Sequence, residues 1–164
     1  MLTGEKAGTY VLLKNLSLLP YVADSSQKEE DWFTFSMTEV GHTTHSVRFG
    51  IPSEDADDWR ANPSSILIAE IYKPDSSNPA QLILLQQLTL DPALFPPNSL
   101  LQIDFSLKDY PVGTYYVRAK GSDAVSPAGG PTKKYQVAFR VNAYRGAIGP
   151  LEILISLISI LAFA

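Results

Sequence analysis

Few residues in this chain have side chains suited to chemistry, and their spacing argues against most of it. The two histidines, His42 and His45, both sit in GHTTH. Three apart on a helix they would chelate, but this segment reads as a turn entering a strand. There, positions three apart point to opposite faces, so a shared metal is not expected. Both are read as turn or surface residues. The chain has no cysteine, which removes disulfides, thiolate metal sites and cysteine nucleophiles. It shows neither a G-x-S-x-G elbow nor a glycine-rich phosphate loop. The stretch IPSEDADDWRANPSS gathers Glu54, Asp55, Asp57 and Asp58 beside Trp59. Oxygen-rich clusters suit calcium, yet the ordered ligand spacing of a calcium loop is missing. A solvated acidic loop capped by a partly buried Trp59 is the expectation. The chain is therefore read as a non-enzyme without a cofactor.

The elements that would position such residues are strands. Alternation with a period of two runs through the middle of the sequence. Phe33, Phe35 and Met37 share one face of DWFTFSM, and Val47, Phe49 and Ile51 one face of HSVRFGI. Ile103, Phe105 and Leu107 follow, then Tyr115, Val117 and Ala119, then Tyr135, Val137, Phe139 and Val141. In GTYYVRAK the adjacent tyrosines divide: Tyr115 is expected in the core and Tyr116 on a solvent or partner face. SILIAEIY and QLILLQQLTL are apolar enough for central strands, although the second also reads as a short helix. Pro- and Gly-bearing turns separate the segments. About eight strands so punctuated predict an all-β fold, an antiparallel β-sandwich or jelly roll.

Composition agrees. The chain has 164 residues, 45% hydrophobic and 18% charged, with a net charge of -4. That length allows one core plus an appendage. A mildly acidic chain without a basic stripe gives no footprint for nucleic acid. Near the N-terminus, Lys14 and Asn15 interrupt the apolar run, so a signal peptide is not expected. A first strand from Tyr10 to Leu13 is.

The order DWFTFSMTEVG, IYKPD, YPVGTYYVRAKG, YQVAFRV resembles the bacterial pre-peptidase C-terminal domain, over roughly residues 24 to 142. The resemblance implies a small β-sandwich appended to exported proteins. It also implies calcium as a candidate ligand near the domain entrance, where this chain has Asp24, Glu29, Glu30 and Asp31. Where the family carries alternating aspartates before its later turn, this chain has Ile66 and Ile68.

The C-terminal stretch RGAIGPLEILISLISILAFA departs from strand alternation. Glu152, Ser156 and Ser159 recur at i, i+4 and i+7, a polar stripe within an apolar surface, which is a helical period. About 15 residues at 1.5 Å each give roughly 22 Å, short of a bilayer core of about 30 Å. Three fates are open to it: insertion in a membrane, burial in a partner protein, or folding back on its own sandwich. Leu151, Ile155, Ile158 and Phe163 are the expected membrane or partner contacts, and Glu152, Ser156 and Ser159 a helix-packing face.

The chain thus divides into an N-terminal strand and lead-in (1–23), a β-sandwich (24–144) and a hydrophobic helical tail (145–164). The function expected is that of an accessory, structural subunit among other protein subunits, membrane-associated through 147–164, with the sandwich periplasmic or extracellular. The alternatives are an exported binding module, contacting a polymer or peptide through Trp59 and Tyr116, and a virion or filament protein.

Overall fold

Alternating apolar segments need two layers to hide one face each, and the chain forms two antiparallel sheets. The computed structural model describes residues 9–19, 29–61, 65–122 and 132–148. Among them are nine strands: β1 (Thr9–Leu18), β2 (Glu30–Met37), β3 (Ser46–Ile51), β4 (Leu67–Pro74), β5 (Leu82–Leu90), β6 (Leu101–Ser106), β7 (Gly113–Gly121), β8 (Lys133–Val141) and β9 (Ala143–Ile148). A single turn of helix, α1 (Ala56–Arg60), follows β3. The four-stranded sheet has the order β1-β8-β3-β6 and the five-stranded sheet β5-β4-β7-β2-β9.

The inward residues read from alternation form the core. Phe33, Phe35, Met37, Val47, Phe49, Phe105, Leu107, Tyr115, Val117, Tyr135, Val137, Phe139 and Val141 belong to one buried cluster. Phe35 stacks on Tyr115 at 5.3 Å and Phe49 on Tyr135 at 6.2 Å. Tyr115 also donates its hydroxyl to the Pro111 carbonyl at 2.6 Å. One of the paired tyrosines thereby ties the strand to its own entering turn while its ring fills the core.

Three expectations are corrected. The first strand does not stop at Leu13. Asn15 takes a left-handed backbone (φ 58°), the register with β8 slips between Leu13 and Leu16, and pairing resumes to Leu18. Asn tolerates that conformation, so a bulge continues the strand past the polar pair. The apolar QLILLQQLTL is a strand, but β5 lies at an edge, not in the centre. The helical tail does not begin at residue 145 or 147: Ala143–Ile148 is β9, paired with Trp32, Phe33, Thr34, Phe35 and Ser36 of β2. Backbone groups there find partners in an edge that β2 would otherwise leave open. The remainder of the tail, including Leu151, Glu152, Ile155, Ser156, Ile158, Ser159 and Phe163, lies outside the described residues.

Candidate functional site

The outward residues of the five-stranded sheet carry its unusual chemistry. β7 sends Tyr116, Arg118 and Lys120 to this face, β2 sends Glu30, Trp32 and Thr34, and β4 sends Glu70 and Tyr72. Register aligns them in rows: Arg118 lies opposite both Trp32 and Glu70, and Tyr116 opposite Thr34 and Tyr72. Arg118 donates to Glu70 Oε2 at 2.7 Å through Nε and to Glu30 Oε2 at 3.1 Å. Its third contact is the Tyr72 hydroxyl at 2.8 Å, which itself donates to Glu70. The guanidinium lies 5.3 Å from the Trp32 ring and 5.5 Å from the Tyr72 ring. Glu70 is only 3% exposed, a buried carboxylate made tolerable by this pairing. Burial alone would lower the Arg118 pKa; Glu70, Tyr72 and Glu30 outweigh it and hold it above the ordinary value. Burial, then the Glu70 contact, pushes the Tyr72 hydroxyl up.

Tyr116 points outward as alternation requires, but it is not a surface contact. It is 1% exposed and clusters with Trp32, against which Tyr72, Leu82 and Ile148 pack. Trp59 is fully buried, donating from Nε1 to the Lys134 carbonyl at 2.8 Å. The acidic excursion is not a plain solvated loop: it folds into α1, which presses that indole into the core and brings Asp58 to Lys133 at 2.8 Å.

At one end of the sandwich the Tyr135 hydroxyl donates to Asp31 at 2.5 Å. Burial raises the Asp31 carboxyl against the opposing effect of that bond, and burial, then Asp31, raises Glu29. A cavity of about 350 Å³ opens there, lined by Leu16, Glu30, Asp31, Trp32, Phe33, Ala147 and Ile148. Glu30 is committed to Arg118, Asp24 lies outside the described residues, and no group of three or more acidic or histidine side chains fit for a metal occurs among the described residues.

The histidines flank a turn before β3, in keeping with the turn reading, but their rings stack at 5.4 Å instead of parting to opposite faces. His42 is exposed, whereas His45 is 1% exposed. The His45 Nδ1 accepts the His42 backbone N–H at 2.9 Å, so that nitrogen is committed to the turn. Burial, then the neighbouring His42, lowers the His45 pKa.

The edges of the two sheets are the remaining feature. β1 carries Lys14 and its bulge, β9 carries Arg145 with Gly146 at φ 120°, and β6 carries Asp104 paired to Arg48 at 2.6 Å. β5, LILLQQLTL, has no charge and no proline in nine residues, and exposes Ile83 and Leu84. Its sequence signal was the same apolar run that suggested a central strand.

No family model matches the chain, and no curated protein matches it. Among solved structures it is similar to one described under the structural basis for the promiscuous specificity of carbohydrate-binding modules from the β-sandwich superfamily. The identity is 11%, the TM-score is 0.40, and the match covers 89% of this chain and 59% of that one. The chain thus spans less than two thirds of the length of that protein.

Proposed function

We propose that this chain is a non-catalytic accessory domain of a larger protein assembly, which it joins by accepting an extended segment of a partner protein along the outer edge of β5, which pairs only with β4 among the described residues. The observation that carries this reading is the contrast among edges. Sheet edges are ordinarily blunted by charge, proline or irregularity; the register of β5 with β4 also shifts between Ile71 and Tyr72, but unlike β1, β6 and β9 its nine residues carry no charge, and Ile83 and Leu84 are exposed. An edge of this kind offers main-chain hydrogen bonds for affinity and alternate side chains for selectivity, the physics of strand addition. The reading as a non-enzyme is supported by how the polar groups are used. Arg118, Glu70, Asp31, Tyr135, Lys133 and the His45 Nδ1 each hold another part of the sandwich.

Binding of a polymer through Trp59 and Tyr116 lacks support, since both rings are buried. No helix among the described residues is long and apolar enough to cross a membrane.

The test replaces Ile83 and Leu84 by lysine and compares the sedimentation of each protein in the native complex. Exposed substitutions away from special contacts change stability by about 0.5 kcal/mol or less, so the double variant is expected to fold. The wild type should sediment with partner protein and Ile83→Lys, Leu84→Lys as a free chain. A double variant retained in the complex, or a wild type that sediments alone, overturns the reading.

A further inference from the structure

Two connections meet at the end of the sandwich where β3 and β5 finish. One is the excursion with α1; the other runs from β5 to β6 and opens with a single 3-10 turn, Pro92–Leu94. Between them lie two clefts, and Arg60 lines both. The first, of about 250 Å³, has Pro92, Ala93, Phe95 and Pro97 as apolar walls and Asp91 beside them. The second, of about 280 Å³, places Asp57 near Leu100 and Leu101. The two most exposed large apolar side chains among the described residues border these clefts: Leu94 at 81% and Leu100 at 67%.

The backbone that carries the two leucines is held in place. The Asp91 side chain accepts the Ala93 N–H at 3.0 Å, and the Ser99 hydroxyl donates to the Pro96 carbonyl at 2.6 Å. Arg60 donates to the Pro96 and Ser99 carbonyls at 3.0 and 3.3 Å, so α1 clasps the connection. An apolar surface ordered in advance loses little freedom when a partner docks on it.

Charge selects the partner. Asp57 and Asp91 line the clefts, and Glu54 and Asp55 occupy the turn before α1. Arg60, the cation shared by both linings, is taken up by carbonyls, and Asp58 is held by Lys133. The acids are spread out, since no group of three or more fit for a metal occurs among the described residues. Separated carboxylates around apolar walls complement separated basic side chains on a polypeptide, not a single ion.

We propose that this end of the sandwich docks a segment of a partner protein in which lysine or arginine flanks an aliphatic or aromatic side chain. The apolar side chain enters the cleft walled by Pro92, Phe95 and Pro97, and the basic groups face Asp57 and Asp91. The surface is separate from the β5 edge, whose Ile83 and Leu84 line neither cleft. The inference therefore stands apart from the role given to that edge.

The test selects a displayed library of random dodecapeptides on the full chain. Enriched peptides should carry lysine or arginine next to a large apolar residue. The chain has two tryptophans, and Trp59 lines the first cleft whereas Trp32 lines neither. A synthetic copy of an enriched peptide should therefore shift the Trp59 indole N–H resonance and leave that of Trp32 in place. Leu94→Ser, Leu100→Ser should weaken its binding by at least about tenfold. Both leucines are exposed, so this variant is expected to fold, and an unchanged Trp59 resonance in the free variant checks that it does. Should it not fold, Glu54→Gln, Asp57→Asn decides: its affinity should fall severalfold at low salt and much less at high salt. Enrichment of acidic or uncharged peptides, no enrichment, or full affinity in either folded variant overturns the proposal. So does dimerisation of the full chain that Leu94→Ser, Leu100→Ser abolishes, which would assign the surface to a second copy.

Discussion

Arg118 shows how one outward residue organises a sheet face. Its neighbours come from three strands: Glu30 and Trp32 from β2, Tyr72 and Glu70 from β4, and Lys120 beside it on β7, with Nζ 3.8 Å from Glu70. Removing one partner of a buried pair costs about 3–5 kcal/mol, because the other charge is left stranded. The Arg118 side chain keeps 23% of its exposure, so water recovers part of that. Arg118→Met is expected to cost about 2–4 kcal/mol, measured by urea unfolding. The double variant Arg118→Met, Glu70→Leu should cost less than the single one, since neither charge then remains buried. A double variant worse than Arg118→Met would show that Glu70 has work beyond this pair. Alternation alone placed Arg118 and Tyr116 outward, and both do point outward. Their burial was not legible, because period two gives the face of a strand and not what lies over that face.

At the scale of elements, the segments with clean alternation were legible from the sequence, and the irregular ones were not. β2, β3, β6, β7 and β8 pack the residues that alternation assigned to the core. β5 and β9 were misread for opposite reasons. β5 is apolar on both faces, so composition could not distinguish a centre from an edge. β9 is short, contains Gly146 and precedes an apolar run, so the helical period of that run absorbed it. Turn glycines were visible as punctuation, yet the contact that requires one of them was not. A Cβ on Gly41 would lie 1.8 Å from the Leu107 carbonyl oxygen. Around it the Gly41 N–H donates to the Tyr110 carbonyl and the Gly41 carbonyl accepts from Asp109, each at 2.9 Å. Backbone on both sides cannot yield as a side chain would. Gly41→Ala is therefore expected to cost on the order of 3 kcal/mol, as a lower urea midpoint with an unchanged slope. A cost under about 1 kcal/mol, the usual range for a tolerated swap, would mean that the two turns separate easily.

For the whole molecule, the buried titratable groups set a pH profile whose two limbs have opposite signs. His45 is held neutral by burial, beside His42 and with Glu39 opposing. Its folded pKa lies below the unfolded value of about 6.5. The stability it contributes is therefore present above about pH 6.5 and is lost as pH falls from there through the depressed folded value. Protonation would also turn Nδ1 into a donor facing the His42 N–H, which gives the loss a geometric cause. Asp31 and Glu29 are shifted the other way, raised chiefly by burial. Their contribution is present below their unfolded values of about 3.9 and 4.3, and is lost as pH rises through the raised folded ones. Thermal unfolding from pH 8 to pH 4 should thus show a melting temperature that falls below about pH 6.5 and levels as the two carboxyls regain their protons. One proton taken up on unfolding limits the first slope to about 1.4 kcal/mol per pH unit. His45→Asn keeps an oxygen to accept the His42 N–H and should remove that first fall. Asp31→Asn keeps an acceptor for the Tyr135 hydroxyl without the buried charge, so it should raise stability at pH 7 and weaken the levelling. A His45→Asn profile that falls as steeply as the wild type would move the acid sensitivity away from this turn. A loss of stability at pH 7 in Asp31→Asn would show that the ionised carboxylate, and not merely an acceptor, holds Tyr135.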